Sequence, residues 1–265
     1  MRTARERRTK KRLGYSGDPL PQPTPTDPLA THSIRLESVT LVRGDQRVFD
    51  GLTLTLDEAR IGLVGDNGAG KSSLFRLISG LDQPQQGRVV VHGCDTQTDR
   101  RELSQHVGLM FQNPDDQIIF PTVAEELAFS LTARGQTRQA ARERAREFLA
   151  ERGLAAWAGR AIGELSQGQR QQVCLLALQI SQPATLLLDE PFASLDLLSQ
   201  ARLAAQLEAT GQQIVVSTHL LEHVHDFERV LWLEQGQVRA DGPGREICEA
   251  YAENVRQRAD AERHA

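Results

Sequence analysis

Nine residues, GDNGAGKSS from Gly65 to Ser73, constrain this chain more than any other stretch. Gly65, Gly68 and Gly70 free the backbone to bend so that successive N–H groups face one point. A lysine and two hydroxyls close the run. The apolar segment RIGLV precedes it, and SSLFRLISG, with helical character, follows. This strand–loop–helix setting is the one in which the pattern cradles phosphate, with the helix N-terminus adding a favourable dipole. The loop therefore predicts an α/β core with a nucleotide polyphosphate at the edge of a strand. Lys71 is expected on the β- and γ-phosphates and the Ser72 hydroxyl on Mg²⁺. Asp66, Asn67, Ala69 and Ser73 belong to the same cradle.

A second element supports that chemistry. TLLLDEP, Thr185 to Pro191, ends a buried strand with two acids. Ligands of open α/β sheets bind at the C-terminal edge of strands, so Asp189 is placed to hold Mg²⁺ through water. Glu190 then stands where a general base would orient and deprotonate an attacking water.

The rest of the chain is organised around these two points. RIGLV, ATLLLD and QQIVVST are nearly all-apolar, as strands buried on both faces are, whereas SIRLESVTLV and LTLTL alternate. Helical segments follow several of them, which indicates a largely parallel sheet. Between about residues 113 and 165 the strand signal stops, and TRQAARERAREFLAERG reads as part of a helical insertion. After His219 come a hairpin-like RVLWLEQGQVRADG and a polar helix. With no internal repeat, one nucleotide-binding unit is expected.

Charge and apolar content narrow the function classes. The first twelve residues, MRTARERRTKKR, carry about +6 in a chain whose net charge is −4. They read as a solvated tail or a weak tether to anionic phospholipid, joined by the Pro-rich linker PLPQPTPTDP. No run approaches the roughly 18 apolar residues of a membrane helix, so this chain is not expected to form a transmembrane path itself. Cys94, Cys174 and Cys248 lack metal-type spacing and read as inert thiols of a reducing compartment.

One further motif resembles a family. ELSQGQRQQV, Glu164 to Val173, resembles the signature of the ABC ATPases, with Ser166, Gly168 and Gln169 in place and Asp189 following Ser166 by 23 residues. ASLD, ending at Asp196, resembles the family's D-loop, VVSTH its switch histidine at His219, and Gln112 falls at its Q-loop. The resemblance implies an ABC nucleotide-binding domain over residues 33–245: a RecA-like core, an antiparallel β subdomain and a helical subdomain of about 113–182. A tail (1–32) and a C-terminal helix (246–265) flank it. It also implies ATP and Mg²⁺ as ligands, with Gln112 joining Ser72 and Asp189 at the metal and His219 touching the γ-phosphate. Two subunits, identical or different, would pack head to tail, with Ser166, Gly168 and Gln169 completing the partner's site and Asp196 reaching across. Two positions depart from the family pattern. Gln167 stands where a glycine is usual, and Arg43 where an aromatic residue would stack on adenine; a guanidinium plane can also stack on a base.

Within this family, FQNPDDQIIFPTVAEELAF, Phe111 to Phe129, is similar to the ATPase components of energy-coupling-factor (ECF) importers, and the biotin-transporter ATPases are the nearest subset. That likeness implies a peripheral ATPase on the cytoplasmic face of the membrane, a transmembrane coupling subunit, a substrate-binding membrane subunit and no nucleic acid. Asp115 and Asp116 are then candidates to pair with basic groups on a partner helix. A cobalt, nickel or other vitamin importer is the alternative reading. A soluble ABC ATPase acting on nucleic acid is the alternative of a different class.

Overall fold

The computed structural model describes residues 33–264, so the basic tail and the Pro-rich linker lie outside the described residues. Strands β1 (Ile34–Arg43) and β2 (Gln46–Leu56) form an antiparallel hairpin, and their alternation buries Ile34, Leu36, Leu52, Leu54 and Leu56 on one face. The next strand, β3 (Arg60–Val64), is buried along most of its length and leads through the glycine loop into α1 (Lys71–Ile78). β4 (Gln86–Val91) and β5 (Cys94–Asp95) join the first pair in a four-stranded sheet of order β2-β1-β4-β5.

After α2 (Arg100–His106) and β6 (Val107–Met110) the chain becomes helical, with α3 (Val123–Thr132), α4 (Arg138–Glu151) and α5 (Gln167–Gln179). Strand β7 (Thr185–Asp189), helix α6 (Leu197–Glu208) and strand β8 (Gln213–Ser217) return to the core. The hairpin β9 (Arg229–Glu234) and β10 (Gln237–Gly242) and the long α7 (Gly244–Arg263) complete it. The second sheet runs β10-β9-β3-β8-β7-β6, with all but β10 parallel.

Alternation along the parallel strands divides the core in two. Ile61, Leu63, Leu187, Val215, Leu231 and Leu233 face α1 and the antiparallel sheet, while Leu186, Leu188, Ile214, Val216, Val230 and Trp232 face the other way, toward α6 and α7. The helices α3, α4 and α5 have an apolar cluster of their own, built on Leu127, Phe148, Val173 and Leu176. No helix among the described residues is long and apolar enough to cross a membrane.

The sequence reading did not anticipate β4, β5, α2 or β6. β6 has only four residues, VGLM, and β4 has half its residues exposed, so neither shows a clear period. Both form because neighbouring strands supply the pairing: β1 for β4 and β7 for β6.

Candidate nucleotide site

The four strands β3, β8, β7 and β6 lie side by side, and each delivers a loop at its C-terminal end. The glycine loop follows β3, His219 follows β8, Asp189 ends β7 with Glu190 next after it, and Gln112 follows β6. These loops line one cleft of about 650 Å³, together with Arg43, Gln46 and Val48 from the β1–β2 hairpin and Tyr251 from α7. Residues more than a hundred positions apart thus meet at one edge of one sheet.

Two glycines of the loop are required by close approach. Gly65 has φ +144°, and a Cβ there would lie 2.2 Å from the Leu233 carbonyl oxygen. Gly70, the residue before α1, has φ +108° and lies against the Phe49 ring, 2.9 Å from where its Cβ would be. Lys71 is buried and donates to the carbonyls of Gly65 at 2.6 Å and Asp66 at 3.1 Å. Burial pushes the Lys71 ammonium below its usual value, while the carboxylates of Glu190, Asp189 and Asp66 pull it back up.

Glu190 sits in the left-handed region at φ 49°, held by its own N–H to the Ser217 carbonyl at 2.8 Å. A non-glycine residue in that region costs about 1–3 kcal/mol and marks a position fixed by its surroundings. Its Oε2 lies 2.8 Å from His219 Nδ1 and also accepts from the His219 N–H at 3.3 Å. The carboxylate is buried, whereas the imidazole is more than half exposed. The pair therefore presents an open face to the cleft.

Ser72, Asp189 and Gln112 line the same cleft and offer a hydroxyl, a carboxylate and an amide oxygen. Hard oxygen donors of this kind suit Mg²⁺ and not a thiophilic metal, so the residues present fit the expected ion.

Arg43 lies at the rim. Its guanidinium pairs with Asp82, which also accepts from Arg76 at 2.9 Å.

The remaining candidates lie elsewhere. Ser166, Gly168, Gln169 and Asp196 line a separate cleft of about 800 Å³ between α5 and α6. Ser166 caps α5: its Oγ accepts from the Gln169 N–H at 3.3 Å, and the Gln169 amide oxygen accepts from the Ser166 N–H at 3.1 Å. Asp196 caps α6 by accepting from the Ser199 N–H at 2.7 Å, and that bond holds its carboxyl below the usual range. Gln167 donates its side-chain amide to Ser194 Oγ at 3.1 Å, a contact that glycine could not make.

The Phe111–Phe129 segment is held by its own acids and amides. Gln117 accepts from the Phe111 N–H at 3.1 Å, and the buried Glu126 accepts from the N–H groups of Ile119 and Phe120 at 3.0 and 2.9 Å. Asn113, not an acid, caps the 3-10 turn Pro114–Asp116. Asp115 pairs with Arg170 of the same chain at 2.8 Å, so its charge already has a partner on α5.

Sequence reasoning did not single out Gln46, Val48 or Tyr251. Tyr251 follows Ile247 and Cys248 at helical spacing and carries no motif, so it resembles any residue of a core-facing stripe. The three thiols are buried and free. Burial pushes Cys174 up to about 12 and Cys248 to about 11, and burial with the charges of Glu102 and Asp99 raises Cys94.

Residues 49–193 match the family described as ABC transporter. The chain is 49% identical over 219 residues to the biotin transport ATP-binding protein BioM of Rhodobacter capsulatus, covering 83% of this chain and 94% of that protein. It is 34% identical over 224 residues to the energy-coupling factor transporter ATP-binding protein EcfA of Methanoculleus marisnigri, covering 82% and 81%. Among solved structures, the ATP-binding cassette MJ0796, a dimer in a post-hydrolysis state bound to ADP and Pi, superposes with a TM-score of 0.68 at 26% identity, covering 79% of this chain and 98% of that one.

Proposed function

The chain belongs to the ABC transporter family as an ATP-hydrolysing subunit, and from that premise we propose that it drives an ECF-type importer whose solute is biotin. The observation that carries the reading is the convergence of Lys71, Ser72, Gln112, Asp189, Glu190 and His219 on one cleft. The solute rests on the BioM relative, since an ATPase subunit need not touch what is carried.

In this reading the loop from Gly65 to Ser73 binds the ATP phosphates through backbone N–H groups, and Lys71 exchanges its carbonyl partners for phosphate oxygens. Ser72, Asp189 and Gln112 hold Mg²⁺, which when bound neutralises charge on the phosphates. Glu190 takes the proton of the attacking water, and His219 holds Glu190 in place and faces the γ-phosphate. Arg43 offers its guanidinium face to adenine while Asp82 fixes its edge.

Ser166 and Gly168 line their own cleft, so a second subunit placed head to tail would bring its signature helix onto this chain's ATP. Leu197 and Leu198, beside Asp196, are 84% and 60% exposed, as suits a face covered by that partner.

The membrane subunits meet the Phe111–Phe129 segment. Ile119 is 70% exposed, and Phe129, 42% exposed, lies with its ring 5.2 Å from that of Phe120. This apolar patch fits a helix laid into a groove. The polypeptide stays on the cytoplasmic side, attached through those contacts.

The test is uptake and assembly. Cells whose only copy is the wild-type chain should import labelled biotin, and Glu190→Gln should abolish import. Ile119→Asp with Phe129→Asp should release the chain from its membrane subunits while ATP binding persists. Import of another vitamin or of a divalent cation in place of biotin would move the solute, and ATPase activity stimulated by DNA or RNA would overturn the transport reading.

A further inference from the structure

We propose that Tyr251 and Arg258 of α7 are positioning residues for ATP binding, holding the Asp66 carboxylate aside from the phosphate cradle and cancelling its charge. This rests on the cleft binding ATP, as read above.

Asp66 is the second residue of the glycine loop, and its side chain is held from one helix. Tyr251 Oη donates to Asp66 Oδ1 at 3.0 Å, and Arg258 grips both carboxylate oxygens, Nη1 to Oδ2 at 2.5 Å and Nη2 to Oδ1 at 3.0 Å. Tyr251 and Arg258 are seven residues apart and share a face of α7. Helical side chains lean toward the N-terminus, so the long Arg258 reaches back to the carboxylate that Tyr251 also touches.

The helix itself is firmly seated. Ile247 and Cys248 are buried against β9, and the Tyr251 ring meets Trp232 edge-on at 5.3 Å. The grip therefore acts from a fixed support. Asp66 borders both the nucleotide cleft and a hollow of about 290 Å³ behind the loop, and Arg258 lies in that hollow.

Charge gives this arrangement a purpose. Three carboxylates, Asp66, Asp189 and Glu190, bear on the single ammonium of Lys71. A triphosphate entering such a cleft meets more negative than positive charge. Asp189 is assigned to Mg²⁺ and Glu190 to His219, which leaves Asp66 as the acid without a catalytic use. The bidentate guanidinium removes its repulsion.

The experiment is calorimetric titration of the full-length chain with ATP and Mg²⁺, paired with steady-state hydrolysis. Arg258→Gln should weaken ATP binding about two- to fivefold, and Tyr251→Phe by about twofold or less. Both should leave kcat at saturating ATP and the melting temperature near wild type. In an Asp66→Asn background, Arg258→Gln should have no further effect on affinity. The Arg258→Gln defect should also shrink at high ionic strength, which a packing role would not predict. Unchanged affinity in Arg258→Gln, or an equal loss in the Asp66→Asn background, overturns the proposal. Wild-type protein that binds no ATP would instead overturn the reading of the cleft, and this inference with it.

Discussion

Arg170 Nη1 donates to Asp115 Oδ1 at 2.8 Å, joining the first turns of the signature helix α5 to the segment that leaves the nucleotide cleft at Gln112. Asp115 was a candidate for a basic group on a membrane partner, but within this chain α5 already supplies one. Under the function proposed above, the pair links the two parts through which ATP would drive a membrane subunit. With side chains 29% and 59% exposed, it should contribute only about 0.2–1 kcal/mol to stability. Asp115→Asn and Arg170→Gln should therefore melt near wild type, with a coupling energy below about 1 kcal/mol in a double-mutant cycle. Each should lower the solute imported per ATP hydrolysed. An unchanged transport-to-hydrolysis ratio in both variants would refute a coupling role.

Glu190 and His219 give a second prediction. Glu190 Oε2 and His219 Nδ1 lie 2.8 Å apart, so the proposed base and its proposed orienting group are expected to act as one unit. Glu190→Gln should lower kcat by about 10²–10⁴-fold and leave ATP binding intact. His219→Ala should lose a similar factor, and the double variant should lose little more than either single one. Turnover that survives Glu190→Gln would remove the base assignment.

Asp82 carries a prediction in pH. Hydrogen bonds from Arg76 and then Arg43 hold its carboxyl below the ordinary value of 3.8. A depressed carboxyl stabilises the fold above the ordinary value, and that contribution is lost as pH falls through the lowered one. Asp82→Asn should thus cost about 1 kcal/mol at neutral pH, with the gap to wild type closing as the solution is taken below about pH 4. Thermal melts across pH would show it; a gap that widens in acid contradicts the assignment.

Ser166 tests a structural role beside the proposed one. Its reciprocal bonds with Gln169 close the N-terminus of α5, so Ser166→Ala should cost about 1 kcal/mol and lower the melting temperature by roughly 2–4 °C. Ser166→Asp preserves a capping oxygen and should restore much of the stability, yet its negative charge should still impair ATP-driven dimer closure. Size-exclusion analysis with ATP in the Glu190→Gln background separates the two effects.

Parts of this molecule were legible before any fold. RIGLV, TLLLD and QIVVS are short, continuous apolar runs, and all three form buried parallel strands. The glycine loop was legible because everything it needs is contiguous: a strand, a bend that excludes side chains at Gly65 and Gly70, and a helix start. β4 and β6 were not legible, because cross-strand partners and not their own periodicity make them strands. The Asp115–Arg170 pair spans 55 residues and leaves no local trace in either segment.

The sequence by itself determined what local backbone geometry can encode: the glycine loop, the acid-ended strand and the signature stretch, each complete within about ten residues. Only the tertiary structure decided which of these share a cleft. Parallel pairing of β3, β8, β7 and β6 brings their C-terminal ends to one edge, and the seat of α7 on β9 carries Tyr251 to the same place. Those placements depend on strand order and packed faces, which are long-range properties that no short stretch of residues contains.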